Sequence, residues 1–322
     1  MSEFDLIRRY FSPPTRHTLL AGGDDAALIA PRGGWELALS TDLLVAEHHF
    51  FSAMDPERLG YKAAAVNLSD MAAMGAVPRW VLLGITLPKV HEPWLDAFSR
   101  GFQGLLNEHG VDWIGGDTTA GPLSLAVTII GEVPAGQALR RSGAQAGDDI
   151  WVSGTLGDAA LGLDWCRGSC PTLTDEIRNI ALDRFERPTP RLTLGQSLRG
   201  LAHAAIDVSD GLLADLGHIL NASAVGAVVE LEAIPVSPGQ PSNPEDVDWQ
   251  RRVLHGGEDY ELCFTAPSRH RHHIVAVAAA EQILVTRIGV ISAVATERVL
   301  RTAQGRAVVV PWQGYDHFVE LS

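Results

Sequence analysis

Acidic residues recur at the ends of apolar stretches in this chain, often beside glycines. Asp24-Asp25 follow Gly22-Gly23 and precede the apolar run Ala26–Ala30. Asp42 follows the strand-like Trp35–Ser40, and Asp117 follows Ile114-Gly115-Gly116. Asp207 follows Ala204–Ile206, and Glu258 stands between Gly256-Gly257 and the strand-like Tyr260–Thr265. Acids on loops at element ends are where ligands usually bind. Hard oxygen donors of this kind suit Mg²⁺ better than zinc. An acidic site holds phosphate only through cations, and metal ions that bridge phosphate oxygens are the recurring arrangement in phosphoryl transfer. Gly115-Gly116-Asp117-Thr118-Thr119 fits a loop whose backbone N–H groups approach a phosphate closely.

Asp70 is the sharpest of these acids. On a helix, Leu59, Ala63, Val66, Asp70 and Ala73 fall on one stripe, with Asn67 on the same side. A carboxylate there is desolvated, at a cost of several kcal/mol unless it is paired or metal-bound. Taken alone it reads as an arginine partner or a loop cap. Taken with the other acids it reads as part of a shared cation site. Asp210, before Gly211 and the amphipathic run Leu212, Leu213, Leu216, Ile219 and Leu220, is equally a helix N-cap, a role for which Ser209 competes. Asp148-Asp149 read as a turn, Asp158 as a cap and Asp112 as an exposed residue.

Composition excludes several function classes. Asp and Glu number 39 against 25 Lys and Arg, a net charge of −14. That argues against nucleic acid and against a membrane surface as partners. Three cysteines, Cys166, Cys170 and Cys263, make neither a disulfide framework nor a four-ligand zinc site. The histidines show no HExxH, and His270, His272 and His273 read as a solvated helix end. Neither lysine, Lys62 or Lys89, follows a glycine, so a P-loop is absent, as is the protein-kinase signature set. With no apolar run long enough for a span and no signal-peptide core, the expectation is a cytoplasmic protein.

The elements that must carry these acids alternate in type. Asp55-Pro56 reads as a helix start, and Glu57–Met74 as an alanine-rich helix ended by Gly75 and Pro78. Val81–Leu87 reads as a strand and Trp94–Glu108 as an amphipathic helix. Val111–Ile114 and Leu123–Ile130 read as strands around a Gly-Gly-Asp turn. Cys166 and Cys170 read as helix positions. The loop-like Pro134–Gly147 suggests a boundary, giving domains of residues 1–138 and 139–322, and Pro235–Asp248 reads as a surface loop.

Several motifs occur in order: Gly23-Asp24-Asp25-Ala26-Ala27, Ser40-Thr41-Asp42, and Asn67-Leu68-Ser69-Asp70 running on to Ala76. Gly115 to Thr119, Arg141-Ser142-Gly143-Ala144, Asp207 to Leu212, Gly256 to Leu262 and Gly314-Tyr315-Asp316-His317-Phe318 complete the set. Together they resemble the thiamine-monophosphate kinases, of the superfamily that includes aminoimidazole ribonucleotide synthetase, over almost the whole chain. The resemblance implies a two-domain, PurM-like α+β architecture. It implies an N-terminal ATP- and Mg²⁺-binding domain that dimerises through its β-sheets, and a C-terminal α+β domain that completes the active-site cleft. It implies ATP-dependent phosphorylation of thiamine phosphate in a homodimer, assisted by several Mg²⁺ ions.

Carried over by residue, Asp25, Ser40, Thr41, Asp42, Asp70, Asp117, Asp207 and Asp210 match Mg²⁺ positions. Gly116, Asp117, Arg141 and Ser209 match ATP positions. His49, with His48 as its alternative, Glu258 and Tyr315 match positions that contact thiamine phosphate. No protein nucleophile or general base is expected, because a phosphate monoester with a second pKa near 6 is largely ionised at pH 7. The rival readings are another ATP-dependent enzyme of the superfamily, a non-catalytic ATP-binding protein on this fold, and a metal-dependent phosphohydrolase.

Overall fold

The computed structural model describes residues 3–312 except 171, 241 and 242, together with residue 314. Two compact units emerge, residues 1–71 with 76–138, and residues 72–75 with 139–322.

The first unit opens with α1 (Glu3–Tyr10) and a small antiparallel pair, β1 (Thr18–Leu20) and β2 (Leu28–Ile29). Then come β3 (Trp35–Val45), α2 (Pro56–Ala73), β4 (Val77–Leu87), α3 (Glu92–Glu108), β5 (Asp112–Ala120) and β6 (Ser124–Pro134). The four long strands form a sheet in the order β3-β6-β4-β5, antiparallel except for the β4–β5 pair. Asp55 starts α2 as the spacing predicts: its Oδ1 accepts the N–H groups of Glu57 and Arg58, both at 3.0 Å. Along β4, Val81, Leu83, Ile85 and Leu87 are buried while Leu82, Gly84 and Thr86 are half-buried, the period of a sheet with one covered face. On β3, Leu37, Leu39, Leu43 and Val45 share the other face and are exposed.

Several local expectations are corrected here. The strand expected over Trp35–Ser40 runs on to Val45, because β6 pairs with it along its whole length. Thr41 and Asp42 therefore lie inside a strand, not after one. Gly115-Gly116-Asp117 is likewise no turn. It lies within β5, opposite Leu82, Leu83 and Gly84 of β4. Asp112 is buried, accepting the N–H groups of Arg16 (2.8 Å) and His17 (2.6 Å) and the Thr18 hydroxyl.

The second unit contains β7 (Asp149–Ser153), α4 (Asp158–Cys166), α5 (Asp175–Glu186), α6 (Leu192–Ser197), β8 (Ala204–Asp207), α7 (Leu212–Ser223), β9 (Gly226–Glu230) and α8 (Val247–Leu254). It continues through β10 (Leu262–Ala266), α9 (Arg271–Ala280), β11 (Val285–Ser292), β12 (Arg298–Arg301) and β13 (Ala307–Val308). Its seven-stranded sheet runs β13-β12-β9-β11-β7-β10-β8, and only β12 and β9 pair in parallel. One face of this sheet buries Ile150, Val152, Ile206 and Cys263 against Leu212, Leu213, Leu216 and Leu220 of α7.

Asp149 belongs to β7 rather than to a turn, because its backbone pairs with Ala266 and Val290, and Arg271 and Arg287 pair with its buried carboxylate. Asp158 does not cap α4. It accepts from Thr155, Ser237 and Gln240, and the N-terminus of α4 is served instead by Asp259, which accepts the N–H of Gly157 at 2.8 Å. Cys170 lies beyond α4, which ends at Cys166.

The helices α2 and α3 cross with their backbones in contact. A Cβ at Gly60 would lie 2.1 Å from the Phe98 carbonyl oxygen, and one at Gly101 would lie 1.9 Å from that of Glu57. Backbone cannot yield as a side chain can, so either residue changed to alanine forces the helices apart. Gly60→Ala and Gly101→Ala should each cost about 1–3 kcal/mol or more in urea denaturation. An unchanged denaturation midpoint would contradict this crossing.

Candidate active-site residues

In the first unit, β3 places Ser40, Thr41 and Asp42 in succession. Ser40 Oγ donates to Asp70 Oδ2 of α2 at 2.6 Å, so these two predicted ligands do meet. Asp70 is only half-buried, which lightens the desolvation cost inferred from its helical stripe. Thr41 Oγ1 lies 2.9 Å from Thr128 Oγ1 of β6. Asp42 pairs in register with Val127 and does not end its strand. Asp25 is exposed in the irregular stretch before β2.

Gly116 of β5 is pressed onto β4, where a Cβ would come within 1.8 Å of the Leu83 carbonyl oxygen. The indole Nε1 of Trp113 donates to the Gly115 carbonyl at 3.1 Å and fixes the strand just before Asp117, whose side chain is exposed. His49 is half-buried and His48 exposed. Val45 donates its N–H to His49 Nδ1 at 3.0 Å, which makes Nδ1 the acceptor and leaves the ring proton on Nε2.

In the second unit, β8 ends at Asp207, and the turn Val208–Gly211 leads into α7. Neither Asp210 nor Ser209 caps that helix. The cap position is Gly211, with no side-chain bond, and the N–H groups of Ser209 and Asp210 turn instead to Asp215 Oδ2, each at 3.0 Å. Burial, and then the charges of Asp207 and Asp210, push the Asp215 carboxyl up to about 8. Negative charge is thus concentrated around this turn.

The segment 256–261 packs onto the same turn. Glu258 N–H donates to the Ser209 carbonyl at 2.8 Å and Tyr260 N–H to that of Val208 at 2.9 Å. Gly257 permits the approach, since its Cβ would sit 2.0 Å from the Ser209 carbonyl oxygen. Glu258 and Tyr260 take φ of 72° and 50°, left-handed values that cost a non-glycine residue about 1 kcal/mol or more. Two buried acids hold them there. Glu261 is gripped by Arg184, by Arg191 and by the Ser153 hydroxyl. Burial alone would raise its carboxyl, but the two guanidiniums outweigh burial and hold it below the usual range. Asp259 is tied to the N-terminus of α4 as described.

Arg141 is exposed, and the turn after it is pinned by Ser223 Oγ, which accepts the N–H groups of Gly143 and Ala144 at 3.1 Å. Tyr315 lies outside the described residues. Within each unit, among the described residues, no three His, Cys, Asp or Glu side chains stand close enough to hold one ion by themselves. Sequence reasoning missed Trp113, Asp215, Asp259 and Glu261. Only Asp215 left a local sign, as a lone acid on the apolar run of α7.

Burial above all raises the Asp259 carboxyl to about 8, with Asp158 adding to the rise and the α4 N–H groups and Arg184 opposing it. The folded state therefore binds this proton more tightly than the unfolded chain, whose value is about 4. The stability contribution is fully present below about pH 4 and is lost as pH rises towards 8. Asp259→Asn removes that titration. Between about pH 5 and pH 8 the melting temperature of the parent should fall relative to the variant. A difference independent of pH would refute the assignment.

Comparison with known proteins completes the description. The AIR synthase related protein N-terminal domain matches residues 23–133, and the corresponding C-terminal domain matches residues 145–301. The thiamine-monophosphate kinase of Salmonella typhimurium is 47% identical over 319 residues, covering 98% of each chain. The crystal structure of thiamine-monophosphate kinase from Stenotrophomonas maltophilia is 46% identical, with a TM-score of 0.84 over 96% of this chain and 98% of that one. A second structure, AaThiL complexed with AMPPCP and TMP, is 28% identical with a TM-score of 0.76 over 90% of this chain and 89% of that one. With both family domains matched in order and near-complete likeness to such relatives, the chain belongs to the AIR synthase related family and, within it, to the thiamine-monophosphate kinases.

Proposed function

We propose that this protein is an ATP-dependent kinase that phosphorylates thiamine phosphate to thiamine diphosphate by direct in-line transfer. The observation that carries the reading is the near-complete likeness to thiamine-monophosphate kinases, one relative of which is crystallised with AMPPCP and TMP. The residues of each unit fit a divalent metal on their own chemistry. Their donors are carboxylate and hydroxyl oxygens, and the charges of Asp207 and Asp210 add to burial in raising Asp215 behind them. Asp25, Ser40, Thr41, Asp42, Asp70 and Asp117 of the first unit would hold Mg²⁺, as would Asp207 and Asp210 of the second. When bound, Mg²⁺ supplies positive charge that offsets repulsion between two phosphate groups.

The chain's own part is positioning. Gly116 lets β5 lie flush on β4 beside the phosphates, and Arg141 adds a fixed positive charge. Asp117 and Ser209 complete the ATP contacts. His49, with its proton on Nε2, donates towards the acceptor phosphate. The strained backbone at Glu258 aims a carboxylate at the cationic or amino-bearing rings of thiamine, and Tyr315 offers a ring face. No side chain needs to remove a proton, because the attacking oxygen is already ionised at neutral pH. A homodimer in the cytoplasm fits the exposed Leu37, Leu39, Leu43 and Val45 on one face of β3. None of the described helices is long and apolar enough to cross a membrane.

Incubation with ATP and Mg²⁺ should convert thiamine phosphate to thiamine diphosphate, and a chelator should stop it. Asp70→Asn should lower kcat by about 10²-fold or more without unfolding the protein. Glu258→Ala should raise KM for thiamine phosphate while KM for ATP stays nearly constant. Unphosphorylated thiamine, whose hydroxyl needs a base, should be a poor acceptor. Equal use of thiamine and thiamine phosphate, or full activity in Asp70→Asn, would sink this reading.

A further inference from the structure

The turn from Asp207 to Gly211 carries three of the residues assigned above to metal and nucleotide. Its hydrogen bonds to α7 run through a residue with no such assignment. Asp215, in the first turn of α7, is 2% exposed, and one of its oxygens accepts the N–H groups of both Ser209 and Asp210. On its other side the turn is tied by backbone bonds: the carbonyls of Val208 and Ser209 accept from Tyr260 and Glu258, and the Val208 N–H donates to the Glu261 carbonyl. Carbonyls and N–H groups are therefore committed in two separate directions, to the 258–261 segment and to Asp215. A phosphate arriving at this turn finds neither N–H of Ser209 and Asp210 available. The groups assigned above to nucleotide and metal here are the side chains of Ser209 and Asp210.

We propose that Asp215 is the positioning residue of this turn, fixing Ser209 and Asp210 so that nucleotide and metal meet their side chains and not their backbone. This rests on the functional reading above. The role is geometric, and an amide oxygen can accept the same two hydrogen bonds as a carboxylate oxygen. Asparagine should therefore substitute for aspartate here, whereas alanine should not. A metal ligand would behave differently, because there the charge itself is needed.

The test uses the full chain with two readouts. Amide hydrogen exchange at Ser209 and Asp210 is followed without ligand, and AMPPCP binding with Mg²⁺ is measured by calorimetry. In Asp215→Ala, which removes the acceptor of both N–H groups, exchange should accelerate by about tenfold or more and AMPPCP affinity should fall by about tenfold or more. In Asp215→Asn, both should stay within about threefold of the parent, the span of a partial loss. If the alanine variant does not fold, Asp215→Glu displaces the acceptor by one methylene and should give the same losses. Unchanged exchange in the alanine or glutamate variant would overturn the proposal, as would an asparagine variant that binds AMPPCP as weakly as the alanine one. If the parent itself fails to bind AMPPCP, the functional reading falls, and exchange still decides what Asp215 does to the turn.

Discussion

Two of the candidate ligands of this protein, Asp117 and Glu258, follow points where one stretch of backbone presses on another too closely for any side chain between them. At Gly116 the neighbour is the Leu83 carbonyl, 1.8 Å from where a Cβ would lie. At Gly257 it is the Ser209 carbonyl, at 2.0 Å. These contacts set the positions of Asp117 and Glu258 by main-chain geometry, which does not relax as a rotamer does. They explain why Asp117 and Glu258 stand beside paired glycines, whereas Gly22 and Gly23 before Asp24 meet no such approach. Glycine provides the approach, and the acid next to it is delivered to a defined place.

A second constraint follows from charge. The chain carries a net −14, and its buried acids fall into two kinds. Glu132, Asp149 and Glu261 each receive two arginines, so their charges are neutralised inside the fold. Asp215 is instead met by backbone N–H groups, and the half-buried Asp70 accepts from the Ser40 hydroxyl. Burial, and then the charges of Asp207 and Asp210, raise the Asp215 carboxyl to about 8.

Much of this was legible in the sequence, for reasons that differ by residue. Asp55 announced α2 because a cap works through residues two and three positions away. The alternation of helices and strands followed from the periodicities, whereas the α+β class came with the family resemblance. The order of the acidic and glycine motifs pointed to the family. The strand containing Gly115 and Gly116 was read as a turn because paired glycines usually mark one, and only the facing strand β4 explains their presence inside β5. Local spacing permits Asp210 equally as a cap and as a ligand. Asp215, five residues later, had already taken the N–H groups. Asp259 and Glu261 were invisible as anchors, since their partners Gly157, Arg184 and Arg191 lie far away in the chain.

The kind of partner, more than burial, separates a structural acid from a candidate ligand here. Asp112 is as buried as Asp215, yet it accepts from Arg16, His17 and Thr18 and serves to hold the start of β1. Asp158 is equally buried and is spent on Thr155, Ser237 and Gln240, tethering a loop. Asp215 also spends itself on backbone, but on the backbone that bears Ser209 and Asp210. Its orientation is thereby passed to groups able to meet a cation or a phosphate. Glu261 does the same for Glu258 through a carboxylate locked by two guanidiniums, three residues along a segment with two left-handed positions. In both places a fully engaged acid lies behind an acid assigned to ligand, and its partners fix the backbone that carries the second.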